Sequence, residues 1–149
     1  MKKTQFVPPD FGPPVLETKH FRLRMLSVDD GEKDYKAVME TQERFHSMGS
    51  SWPREGFTIE ENLADLERHQ QEFLDREAFA YTVVSLDESR VLGCVYINPA
   101  KSDETDAKVR MWVRQSEYDK GLDAVLFAAV KEWMDSSWPF ADVIYPGRE

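Results

Sequence analysis

The chain has 149 residues, enough for one domain with its own core, and 41% of them are apolar, including nine Phe, five Tyr and four Trp. A net charge of −9 argues against nonspecific nucleic-acid binding and against docking on an anionic membrane. The single cysteine, Cys94, excludes an internal disulfide and a cysteine zinc site, and no apolar run approaches the ~20 residues of a membrane helix.

Residues 1–15 (MKKTQFVPPDFGPPV) begin basic, but Pro8, Pro9 and Asp10 stand where a signal peptide would place its apolar stretch, so a cytoplasmic protein is expected. This segment reads as an extended, proline-rich arm, and the domain proper as 16–149. In HFRLRML, Phe21, Leu23 and Met25 alternate with Arg22 and Arg24, a first strand. Asp29 and Asp30 can cap a helix carrying Tyr35, Val38, Met39 and Phe45 to about Met48. Gly49–Phe57 is a loop, and Thr58 with Glu61 forms a capping box for a second helix, with Ile59, Leu63, Leu66, Phe73 and Leu74 inward. Phe79–Leu86 and Arg90–Asn98 form a hairpin about Asp87-Glu88-Ser89. Pro99 ends it, and Lys101–Asp106 is a charged loop.

The stretch Ala107–Met134 organises the rest. Val109, Met111 and Val113 alternate as in a strand, and after a polar turn Gly121 opens a helix with Leu122, Val125, Leu126, Ala129, Val130, Trp133 and Met134 at helical spacing. A strand running through a turn into a helix aims backbone N–H groups and the positive helix end at one spot, where a phosphate can sit. Pro139 stops the helix, and Ala141–Tyr145 is a last short strand. The order is β-α-α-β-β-β-α-β, a single-domain mixed-sheet α/β sandwich.

That order, with LETKHFRLRMLSVDD (16–30), FAYTVVSLDESRVLGCVYINP (79–99) and VRMWVRQSEYDKGLDAVLFAAVKEW (109–133), resembles the GCN5-related N-acetyltransferase superfamily. Within it the likeness is to the branch that acetylates ribosomal-protein N-termini and related amines, and it covers about residues 16–145. The resemblance implies an acyl-CoA N-acyltransferase fold and acetyl-CoA as acyl donor. It also implies a donor site at Val113, Arg114, Tyr118, Asp119, Lys120, Gly121, Leu122 and Asp123. In that family the turn reads Arg/Gln-x-x-Gly-x-Gly/Ala, and its amides hold the CoA pyrophosphate.

Three departures stand out. The central glycine is kept as Gly121, but the Arg/Gln slot holds Tyr118 and the last small-residue slot holds Asp123, whose carboxylate would oppose a pyrophosphate. Where the branch often carries a glutamate base the chain has Lys108. Glu104 and Asp106, just upstream, are either substitutes or solvated loop charges. Relatives continue past the fifth strand to a helix whose tyrosine protonates the leaving thiolate. Here Tyr145 is the one tyrosine beyond the donor-type helix, read as strand residue or acid.

By the same resemblance His46, Trp52 and Phe57 fall where the acceptor amine would bind; each also has a bland reading, as surface histidine or lid on the core. The histidines have no metal-ligand spacing, so no metal is expected. Cys94 reads as a small buried hydrophobe, Trp112 as core, and Arg110 and Arg114 as either phosphate contacts or partners for acids. The leading expectation is acetyl transfer to a primary amine of a small molecule or protein N-terminus, with the carbonyl oxygen held by a backbone N–H near Val113. The alternatives are a degenerate, non-catalytic module that binds a ligand or protein, and a subunit whose site a partner completes. An exposed last strand makes a homodimer reasonable.

Overall fold

The computed structural model describes residues 6–100 and 105–148. Six strands form one sheet in sequence order: β1 (Leu16–Glu17), β2 (Arg22–Met25), β3 (Phe79–Val84), β4 (Val91–Pro99), β5 (Ala107–Val113) and β6 (Val143–Ile144). Neighbours are antiparallel as far as β5, and β5 pairs with β6 in parallel. Among the described residues there are also four α-helices, α1 (Gly31–Ser47), α2 (Ile59–Leu74), α3 (Gln115–Asp119) and α4 (Leu122–Ser137), and a single 3-10 turn at Val28–Asp30. This is the expected order with three additions, the short β1, the 3-10 turn at Val28–Asp30 and α3. The polar turn after β5 is therefore a helical turn in itself.

The sheet separates two apolar clusters. Phe21, Leu23, Phe79, Tyr81, Val95, Ile97, Val109 and Met111 pack with Leu126, Val130, Trp133 and Met134 of α4. On the opposite face Ala80, Cys94 and Trp112 pack with Ala37 and Val38 of α1 and Leu66 of α2. Covered on both sides, β3 is buried along its whole length, which suits its unbroken FAYTVV.

Among the described residues of the proline-rich segment, 6–15, there is no helix or strand, yet they are docked. Val7 is buried, Phe6 stacks between Phe79 and Phe140, and Phe11 lies against Trp138. Arg76 and the Tyr81 hydroxyl each donate 2.7 Å hydrogen bonds to carbonyls of this segment, at Pro8 and Pro14. It covers the α4 face as far as β1.

Helix starts differ in how they are secured. The capping box at α2 is present in both directions, Glu61 N–H to Thr58 Oγ1 at 3.2 Å and Thr58 N–H to Glu61 Oε2 at 3.4 Å. At α1 the N-cap is Asp30, but its carboxylate makes no cap bond. It takes a bidentate pair from Arg24 instead, at 2.7 and 3.0 Å. The inward stripe of α2 also differs from the expected one. Leu63 and Leu74 are exposed, while Asn62 and Leu66 are buried, and His69 and Phe73 are half-buried. Helical spacing alone does not say which of two adjacent rows faces the sheet; here a polar residue takes the inner one.

Close strand approach depends on Gly93. It faces Val113, and a Cβ there would collide with the carbonyl oxygen of Trp112 and lie 2.9 Å from Val113 Cα. Gly93→Ala must therefore push β4 and β5 apart. Chemical denaturation is expected to show a loss of about 3 kcal/mol or more, in the range of strain inside a packed core.

Candidate functional site

A cavity of about 830 Å³ runs from between α1 and α2, past β4 and β5, to the start of α4. Asp34, Phe45, Asn62, Asp65 and His69 line its inner end with Tyr96 and Trp112, and Tyr118, Asp123 and Pro146–Arg148 line its outer end. Two features of the sheet make room for it. First, β6 pairs with β5 at Ala107 and Lys108 and then ends, so among the described residues no strand pairs with that side of β5 from Val109 onward. Second, Arg114 N–H donates to Leu92 O across the ladder at 2.7 Å. That makes Gly93–Val113 a pair without mutual hydrogen bonds, so the N–H and C=O of Val113 face away from β4, into the gap. The Val113 carbonyl accepts from Arg44 and the Met111 carbonyl from Arg148, as this alternation requires.

The turn after β5 is secured mostly by the chain itself. Gln115 N–H donates to Thr41 Oγ1, Ser116 N–H to Glu40, Glu117 and Tyr118 N–H to Arg114 O, Lys120 N–H to Glu117 O, and Gly121 N–H to Tyr118 O. These amides are not a ready phosphate cradle. The first turn of α4 is different: its N-cap, Gly121, makes no side-chain cap bond. Gly121 has φ of 90°, and a Cβ there would meet nothing within 4 Å. The glycine is required by its left-handed backbone rather than by crowding.

Asp123 is paired. Arg148 grips both its carboxylate oxygens, at 2.8 and 2.9 Å, and also donates to the Met111 carbonyl at 3.1 Å and lies 5.3 Å over the Phe127 ring. The repulsion expected from Asp123 alone is thereby neutralised by a cation 25 residues downstream. Arg44 adds a second guanidinium at this end, 4.0 Å over the ring of Tyr118. Arg114 is fully engaged elsewhere, with Glu40 through Nε and Nη2 and with the Val91 carbonyl through Nη1.

At the inner end lies a polar cluster that helical and strand periodicity did not single out. Asp34 is 3% exposed, and its oxygens accept from Asn62 Nδ2 at 2.9 Å and Cys94 Sγ at 3.6 Å. Tyr96 Oη accepts from Trp112 Nε1 at 3.1 Å. Burial raises the Asp34 carboxyl to about 6, against the lowering effect of its two donors. Burial also pushes the Cys94 thiol and the Tyr96 hydroxyl well up and lowers His69, whose ring lies 5.3 Å from that of Tyr96. Among the described residues no cation pairs with Asp34. A signal was present, though: Asp34 stands one helical turn from the apolar Ala37 and Val38 of α1, and Asn62 one turn from Leu66 of α2.

The other expected residues scatter. Trp52 lines the cavity, and Phe57 is buried against Tyr35 and Trp52 beside it. His46 is exposed and turned to the loop, its Nε2 2.7 Å from the Pro53 carbonyl. Asp106 is spent on structure, accepting from the amides of Ala141 and Asp142 at 2.7 and 3.0 Å. Tyr145 is buried in the α4-side cluster, edge-on to Phe127. Lys120 is exposed beside Glu117, Asp119 accepts from Gln115, and Leu122 packs on the core. Glu104 lies outside the described residues.

No family model and no curated relative matches the chain. Solved structures do match. One is the ribosomal-protein-S5-alanine acetyltransferase of Vibrio fischeri, with TM-score 0.66 and 19% identity, over 82% of this chain and 67% of that one. Another is the microcin C7 self-immunity acetyltransferase in complex with acetyl-CoA and AMP, with TM-score 0.65 and 16% identity over 81% and 66%. A third is the ribosomal L7/L12 alpha-N-protein acetyltransferase in complex with coenzyme A, with TM-score 0.62 and 14% identity over 78% and 64%. The fold is that of the GCN5-related N-acetyltransferases. The chain spans about two thirds of the length of these structures.

Acetyl-CoA, the donor this acetyltransferase fold implies, fits the outer end of the cavity. There an anion would meet the uncapped first turn of α4 and two guanidinium groups, with Asp123 already neutralised, and the outward N–H of Val113 lies along the gap. The amides of the turn before α4 are engaged by Thr41, Glu40 and carbonyls of the turn itself, which leaves the first turn of α4 for a backbone contact to phosphate.

Glu40 holds the turn by accepting from Arg114 and from Ser116, and Arg114 beside it lowers its carboxyl from 4.5 to about 2. A lowered folded-state value means this stability is present above pH 4.5 and is lost as pH falls toward 2. Thermal melts of wild type and Glu40→Gln should differ by about 1 kcal/mol near neutrality, since the pair is partly exposed. The difference should shrink steadily through that acid window.

Proposed function

We propose that this chain is an acyl-CoA-dependent N-acyltransferase acting on a primary amine, of a small molecule or a protein N-terminus. The observation that carries this reading is the continuous cavity, which joins a polar chamber between α1 and α2 to the side of β5 left unpaired beyond the end of β6. Bound there, acyl-CoA supplies an activated thioester acyl group. The residues of the chain do the rest. The first turn of α4 and Arg148 receive the anionic part of the donor, and the outward N–H of Val113 receives the acyl oxygen. Phe45, Trp52 and Trp112 wall the chamber and exclude water from the amine. Most of the rate comes from positioning the amine against the acyl carbon.

A second reading, a non-catalytic binding module on the same fold, is favoured by one observation: the turn satisfies its own amides through Thr41, Glu40 and Arg114. Calorimetric titration with acetyl-CoA separates the two. The acyltransferase reading expects micromolar binding by wild type. Arg148→Ala, which bares the Asp123 carboxylate, should weaken it by about tenfold, the effect of one close charge pair. Asp123→Asn should strengthen it several-fold by freeing the guanidinium. Absence of binding to millimolar concentration in wild type and both variants moves the assignment to the non-catalytic module.

A further inference from the structure

The inner end of the cavity holds a carboxylate without a counter-ion. Asp34 lines the cavity and is 3% exposed, and its oxygens accept only from neutral donors, Asn62 Nδ2 at 2.9 Å and Cys94 Sγ at 3.6 Å. A carboxylate has capacity for further donors beyond these two. The groups around it supply no cation from any side. Asp30 at the start of α1 and Asp65 of α2 act on it with like charge. Arg24 of β2 grips Asp30, Arg68 of α2 lies 3.9 Å from Asp65, and Arg110 of β5 is exposed opposite Tyr96. Burial holds Cys94 and Tyr96 of β4 neutral and favours the neutral form of His69 on α2. A buried carboxylate is costly to keep ionised unless a cation completes it.

The walls show which kind of cation fits. Phe45 stands between Trp52 at 5.4 Å and Trp112 at 5.2 Å, and all three line the cavity with Leu66. Aromatic faces attract an ammonium that has shed its water, and apolar walls take an alkyl chain. Among the described residues no three His, Cys, Asp or Glu side chains gather as a metal ion would need, so the fitting cation is organic. Its distance from the reaction follows from the sheet. Asp34 touches Cys94 on β4, whereas the Val113 N–H faces the unpaired side of β5. Neighbouring strands lie about 4.8 Å apart, so roughly two spacings, about 10 Å, separate the carboxylate from the acyl position. A linear chain of roughly four to six carbons with an amine at each end suits that span.

We propose that the acceptor carries a second, unreacting ammonium on an alkyl chain, as a linear diamine does, and that this ammonium sits in the aromatic chamber as the counter-ion of Asp34. This rests on the acyltransferase reading and names its substrate class. The reacting amine forms the amide C–N bond as the thioester C–S bond breaks, and its proton balances the released thiol. The second ammonium keeps its protons throughout, and Asp34 takes none. Its role is to choose the acceptor and set the position of the chain. Burial first, and the like charges of Asp30 and Asp65 after it, raise the Asp34 carboxyl to about 6 against its two donors. A bound ammonium favours the ionised form and must lower it again. A lysine side chain near a peptide N-terminus would present the same group, and competition separates that source from a free diamine.

The test pairs spectroscopy with kinetics on the whole chain. In carbon-detected magnetic resonance of wild type, cadaverine should move the Asp34 carboxyl titration to lower pH, while pentanol, the same chain without an ammonium, should leave it in place. In acetyl transfer at neutral pH, kcat/KM for cadaverine should exceed that for pentylamine by at least about tenfold, since a methyl group cannot complete the carboxylate. Asp34→Asn should bring that ratio close to one. Trp52→Leu, which keeps the carboxylate, should lower it several-fold by removing one aromatic wall. Cadaverine should also outcompete a short peptide that begins with lysine; a preferred peptide with the same dependence on Asp34 keeps the ammonium site and makes a protein N-terminus the source. An Asp34 titration indifferent to cadaverine, or equal transfer to cadaverine and pentylamine, overturns the proposal and leaves the acyltransferase reading standing. A titration that answers to cadaverine, with no acetyl transfer to any amine, overturns the acyltransferase reading and leaves the chamber as a binding site for the ammonium.

Discussion

The pairing of β4 with β5 sets nearly everything that matters in this molecule. Gly93 lies under Val113 with no room for a side chain, and the bond from Arg114 N–H to Leu92 O fixes which backbone groups turn outward. From that one register follow the exposed N–H and C=O of Val113 along the gap, and the placing of Cys94 against Trp112 and Tyr96 against Arg110. A slip of one residue would send the polar cluster to the α4 face and close the gap with side chains.

The two ends of the cavity handle charge in opposite ways. At the outer end Asp123 is compensated by Arg148 and Glu40 by Arg114, so a region expected to repel an anion presents guanidinium groups and a helix start. At the inner end Asp34 has hydrogen-bond donors but, among the described residues, no cation. Desolvation there is offset only in part, which is what moves its carboxyl upward. A chain of net charge −9 thus pairs its outer carboxylates with arginines and leaves Asp34, among the described residues, buried without a cation.

Much of the fold was legible in the sequence because the signals are local. Alternation in HFRLRML and in Val109–Val113, the Thr58/Glu61 capping box and the spacing in α4 each report a backbone state without reference to the rest. The site was legible only in part. Gly121 and the position of the turn were readable, and so was Trp112 as a buried residue. The Arg148–Asp123 pair was not, since it joins residues 25 apart across the whole of α4, a loop and a strand. His46 and Asp106 had the right chemistry at nearly the right place, but each is held by a backbone group that only the folded loop brings near. The inner cluster was missed for a related reason. Asp34 and Asn62 sit on helices whose apolar residues carry the pattern, and a polar residue on the inner row looks like noise until the strand bearing Cys94 and Tyr96 is laid against it.

The claim that the free edge of β5 receives an acyl donor is tested most directly by nuclear magnetic resonance of labelled protein titrated with acetyl-CoA. The Val113 amide and the Arg148 Nε–H should shift together and saturate at one concentration, while the Arg114 amide, locked to Leu92, stays in place. No shift at Val113 up to millimolar acetyl-CoA, or saturating shifts confined to residues away from β5 and α4, would contradict the account.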